Sequence, residues 1–184
     1  MNSIGTSPRT HLPAFVFWTG LAIVECWLFL SRHFFQGDSI FLLQNRFAGI
    51  DAFVKSFVTL DSGHWYRPLS HGILPSVLFP FLRLEPAGYR IVSLLLFFAA
   101  GVAIFGFFQK ILQERVAAGI ALVFFSIHSV AAFVTYDLAF FHEILYTLFY
   151  VMAATAYGRY VLTGHVKWYV ASAGLFILTL LTKE

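Results

Sequence analysis

Few side chains in this 184-residue sequence can do chemistry, and they gather in a few places. Asp38 stands in Gly37-Asp38-Ser39, between an apolar stretch and an amphipathic one. A carboxylate at such a boundary can accept a proton, and general-base catalysis contributes about 10²–10⁴-fold to a transfer rate. The same residue type is what a helix start needs as a cap, so Asp38 carries both readings. Trp65-Tyr66-Arg67-Pro68 follow. A guanidinium in that aromatic setting suits a phosphate, with Tyr66 offering a face to a sugar. An aromatic belt with a snorkelling arginine is the plainer reading. His142 and Glu143 are ionisable residues at the start of an apolar run, which marks a candidate site. A solvated helix start, with Glu near its positive end, is the alternative. Arg90 has the makings of an anion ligand or a headgroup anchor, and Lys183-Glu184 those of a site edge or a plain charged end.

Other polar residues read as structural. His128, inside an apolar run, is expected to pack with a hydrogen-bond partner, and Glu25 needs an interhelical partner to offset about 2.5–3.5 kcal/mol at mid-bilayer. The lone Cys26 excludes an intramolecular disulfide and a cysteine-based metal site. His33, His64, His71 and His142 show no ligand spacing, so no metal is assigned. A divalent ion shared with a phosphate is the one metal role left open.

The elements that must position these residues are apolar. Charged residues make up 11% of the chain, against about 25% in soluble domains, and 59% is hydrophobic with 23 phenylalanines. The mean hydropathy of +0.79 places it with membrane proteins. A net charge of +3 spread over scattered basic residues gives no nucleic-acid footprint. Residues 13–31 form a run about 28 Å long as a helix, close to a hydrocarbon core of about 30 Å. The run exceeds the ~7–15 apolar residues of a signal peptide and holds Glu25, which predicts an uncleaved first span.

Segment 40–60 is amphipathic, with Leu43, Phe47, Ile50, Val54 and Phe57 at helical spacing, and predicts a helix lying along the bilayer surface. Residues 68–82 hold Pro68, Pro75 and Pro80, which argues for a broken or re-entrant piece. Runs at 94–108, 115–137, 138–161 and 167–182 complete the set, the last extended by snorkelling of Lys167 and Lys183. The expected fold is an all-α, polytopic transmembrane helical bundle of about five spans, with a long outer loop containing the interfacial helix. Residues 1–184 form one transmembrane domain, since lipid-exposed backbone must satisfy itself. The loop carrying Lys110 and Arg115, and the one carrying Arg159 and Lys167, orient the chain with its N-terminus cytoplasmic. Asp38, Asp51, Asp61, Glu85, Asp137, Glu143 and Glu184 then collect on the outer face.

In that order the motifs resemble a known family. Gly37-Asp38-Ser39, Trp65-Tyr66-Arg67-Pro68-Leu69, Glu85-Pro86-Ala87-Gly88-Tyr89-Arg90, Ile127-His128-Ser129, Phe141-His142-Glu143 and Thr182-Lys183-Glu184 look like the N-terminal part of the GT-C superfamily. These are membrane glycosyltransferases using polyprenyl- or dolichyl-phosphate sugars, and the likeness is nearest to the protein O-mannosyltransferase-like branch. It covers about residues 14–184. The chain departs from the family in having one acid rather than two adjacent ones in the first outer loop, and His128-Ser129 where His-Pro is common.

The resemblance implies transfer of a mannose-like sugar from a polyprenyl-phosphate carrier to an acceptor hydroxyl on a protein or glycan. It implies Asp38 and Glu143 as catalytic acids, and Tyr66, Arg67, Arg90, His142 and Glu184 around the substrates. It places the protein in a bacterial inner or plasma membrane, among membrane lipid, with its active face external. Family members run on through further spans, so the chain is expected to be the N-terminal part of a longer transferase. A non-catalytic multi-pass protein, a scaffold or transporter subunit, is the competing reading.

Overall fold

The computed structural model describes residues 20, 24, 50–58, 66–72, 77–128 and 141–183, and every regular element among them is helical. The first expected span, apart from helical Gly20 and Val24, lies outside the described residues, as do Asp38 and the first half of the amphipathic segment. What is described of that segment is α1 (Ile50–Ser56), helical as its spacing predicts.

Two short helices are described in the next stretch, α2 (Pro68–Gly72) and α3 (Phe79–Leu82), and residues 73–76 with Pro75 lie outside the described residues. Pro68 and Pro80 sit in first turns, where the missing N–H had no intrahelical partner to lose. Arg83 ends α3 with a positive φ of 49°, and its N–H donates to the Phe79 carbonyl at 2.8 Å. Three residues later Pro86 opens α4 (Pro86–Leu112).

At about 1.5 Å per residue α4 is about 40 Å long, and it is the one described helix long and apolar enough to cross a membrane. Gln113 closes it in the left-handed region, φ 54°, and its side-chain amide donates to the Lys110 carbonyl at 2.6 Å. Two shorter apolar helices follow the same chemistry, α5 (Arg115–Ile127) and, near the end, α7 (Val166–Thr182). Between them α6 (Phe141–Thr163) is longer but less apolar, because Tyr146, Thr147, Tyr150, Thr155, Tyr157 and Tyr160 punctuate it. Threonine hydroxyls inside these helices are satisfied locally. Thr147, Thr155, Thr179 and Thr182 each donate to the carbonyl four residues back, at 2.7–2.8 Å.

Three pairings set the direction of the chain. Phe97 of α4 stacks on Phe125 of α5, ring centroids 5.1 Å apart, across the short turn at Gln113. On the other flank of α4, Tyr89 is buried with Phe141 and Leu145, so α4 and α6 begin at the same end. The Ser172 hydroxyl of α7 donates to the Ala153 carbonyl at 2.9 Å, and Arg159 lies over Trp168, so α6 and α7 run antiparallel. Tyr66, Tyr89, His128, Glu143 and Lys183 therefore share one end. Lys110, Arg115, Arg159 and Lys167 share the other.

The α6–α7 turn depends on Gly164, whose φ is +68° with open space around a would-be Cβ. Gly164→Ala is expected to lower stability by about 1 kcal/mol, all of it backbone strain. Gly174→Ala, mid-helix with equally open surroundings, should instead be neutral or stabilising by up to about 1 kcal/mol. Thermal denaturation in detergent compares them, and equal shifts would sink the argument.

Candidate functional site

The start of α6, the residues before α2 and the residue after α7 meet at the shared end. Glu143 lies in the first turn of α6. Its Oε1 accepts from Lys183 Nζ at 2.5 Å and stands 3.3 Å from His142 Nε2. Arg67 Nη1 lies 3.4 Å from the same His142 nitrogen. In a neutral imidazole these two contacts exclude one another. Receiving a proton from Arg67 needs the Nε2 lone pair, whereas donating to Glu143 needs an N–H there. His142 is 8% exposed, so neither contact is readily replaced by water.

Tertiary contacts hold this cluster. The Ser70 hydroxyl donates to the Thr182 carbonyl at 3.0 Å, both residues buried, which ties α2 to the end of α7 and brings Arg67 and Lys183 together. The Tyr66 hydroxyl donates to the Phe57 carbonyl at 2.8 Å, which fixes the approach from α1. Lys183 Nζ also stands 5.9 Å from the Tyr146 ring centroid. With two permanent cations and one carboxylate, the cluster carries a net positive charge suited to an anion such as a phosphate.

Glu143 also lines a cavity of about 550 Å³ between α4, α5 and α6. Its wall is aromatic and aliphatic, with Phe97, Phe107, Phe124, Phe125 and Tyr150, and His128 stands beside it. A volume within the ~300–1,000 Å³ range of ligand pockets, almost wholly apolar and charged at one end, suits an amphiphile.

The structure thus gathers Tyr66, Arg67, His142 and Glu143 around one end of the helices. Arg90 departs from the surface reading: it is 3% exposed, in the core beside Tyr89, so it does not anchor at a headgroup. His128 departs too. It follows the last turn of α5 with ψ 133° and is exposed, with its ring centroid 5.5 Å from that of Phe124, because the helix stops at Ile127. Asp38 and Glu184 lie outside the described residues. Lys183, which the sequence offered together with Glu184 as a site edge, enters the cluster. Among the described residues no group of three or more His, Cys, Asp or Glu could hold a metal ion.

No protein-family model matches this chain, and no curated protein or solved structure matches it.

Proposed function

We propose that this protein is a membrane glycosyltransferase of the GT-C type, moving a mannose-like sugar from a polyprenyl phosphate to an acceptor hydroxyl on the outer face. The observation that carries this reading is the junction of the apolar cavity with the Arg67–His142–Glu143–Lys183 cluster. In the reaction the acceptor oxygen bonds to the anomeric carbon and its proton passes to the Asp38 carboxylate. The anomeric carbon–phosphate oxygen bond breaks, and its electron pair leaves with the polyprenyl phosphate. Arg67 and Lys183 stabilise the departing phosphate, Tyr66 and His142 border the sugar, and Glu143 orients the acceptor. Five spans with a cytoplasmic N-terminus complete the proposal. The exposed apolar side chains of α4, α5 and α7, such as Leu95, Ile120 and Val170, support lipid around those helices.

One observation favours a non-catalytic scaffold or transporter subunit instead: the Glu143 carboxylate is already matched by Lys183. Membranes containing the full-length protein, given a short-chain polyprenyl-phosphomannose, decide between the two. The transferase releases polyprenyl phosphate faster than membranes lacking it, with the sugar passing to an acceptor or to water. Equal release from both preparations, in the presence of cell-extract acceptors, would leave the scaffold reading.

A further inference from the structure

The opposite end of the helices holds a second feature. Between α4, α6 and α7 lies a cavity of about 280 Å³, bordered by Lys110, Arg159 and Trp168 above an apolar floor of Phe107 and Leu175. On the other flank of the α4–α6 contact a cavity of about 360 Å³ is bordered by Phe107, Lys110, Arg159 and Leu162. Lys110 and Arg159 belong to both, so two apolar clefts share one pair of cations. The Arg159 guanidinium carbon sits 4.5 Å from the centre of the Trp168 ring, which holds it in place, and Lys167 Nζ stands 5.7 Å from the same ring. Arg115 lies at this end as well. Glu114 is the one acid here among the described residues. Exposed Ile111 and Leu162, at 58% and 85%, continue the apolar surface outward.

We infer that this end is a binding site for an anionic phospholipid, with the phosphodiester between Lys110 and Arg159 and the acyl chains in the two clefts. Charge complementarity selects the occupant. A zwitterionic lipid brings its own ammonium group to the cations, whereas phosphatidylglycerol brings only negative charge. The paired clefts match a headgroup with two tails, which a free phosphate lacks. The site is separate from the Glu143 cluster, and it rests on the reading of these helices as membrane-embedded.

The full-length protein, purified in detergent and titrated with phosphatidylglycerol or phosphatidylcholine, is read by native mass spectrometry. Each basic side chain is worth about fivefold at an anionic lipid, so the wild type should prefer phosphatidylglycerol by roughly thirtyfold. The Lys110→Gln/Arg159→Gln variant should lose that preference, while Arg83→Gln, at the other end, should keep it. A second measurement leaves both cations in place. With every tryptophan but Trp168 replaced by Phe, brominated phosphatidylglycerol should quench Trp168 at lower concentration than brominated phosphatidylcholine. Equal binding and equal quenching by the two lipids, in a chain that resists alkaline extraction from membranes, would overturn the lipid site alone. Recovery of the chain in the soluble fraction would overturn both the site and the membrane reading.

Discussion

Asp38→Asn is expected to lower sugar transfer by about 10²–10⁴-fold while membrane insertion and donor binding stay as in the wild type. The amide keeps the shape and hydrogen-bonding reach of the carboxylate but cannot take the acceptor proton. Because Asn caps a helix as well as Asp does, the substitution separates the two roles of this residue. Unchanged transfer would remove Asp38 as the base. Glu143→Gln is the informative companion. It removes the charge that occupies Lys183, at 2.5 Å, and leaves that ammonium available to the donor phosphate. The donor KM should fall severalfold as kcat falls, since the acceptor loses its orienting carboxylate. A variant with unchanged kcat would make Glu143 only the structural partner of Lys183.

Tyr89→Ala should have the largest effect on stability, about 3 kcal/mol or more. Tyr89 is fully buried, packs on Phe141 and Leu145, and donates its hydroxyl to the Arg83 carbonyl at 2.8 Å. Surrounding lipid would supply no large hydrophobic transfer term, so the loss comes chiefly from the cavity and its missing van der Waals contacts. Tyr89→Phe removes only the hydrogen bond and should cost about 1 kcal/mol. Unfolding in mixed micelles measures both. Equal losses would mean that Tyr89 contributes through its hydrogen bond to Arg83 and not through packing against α6. Because the start of α6 carries Glu143, Tyr89→Ala should also lower transfer at temperatures where the protein stays folded.

The two predictions draw on different levels of the molecule. The helices were legible because apolar runs bounded by charges and prolines have few other stable forms. The runs at 94–108, 138–161 and 167–182 correspond to α4, α6 and α7, and Pro68 and Pro80 lie in the first turns of α2 and α3. The run at 115–137 was less legible, since composition does not register the change of backbone at His128 that ends α5.

Pairing was the harder matter. Local periodicity says which face of a helix is apolar, but not which polar groups meet across helices. Nothing local to Lys183 connects it with Glu143, forty residues away, and nothing near Ser70 points to Thr182. Arg90 shows the same limit from the other side: a charge at a helix start reads as an anchor, yet the folded chain buries it.

The residue types and the order of the motifs, among them Asp38, Arg67 and Glu143, came from the sequence by itself, because they are read without the fold. Only the tertiary structure decided that Arg67, His142, Glu143 and Lys183 share one end of the helices beside an apolar cavity, and that Lys110 and Arg159 share the other. Those meetings follow from the antiparallel return of α7 along α6 and the common starting end of α4 and α6. Contacts between distant residues set both, and no single segment encodes them.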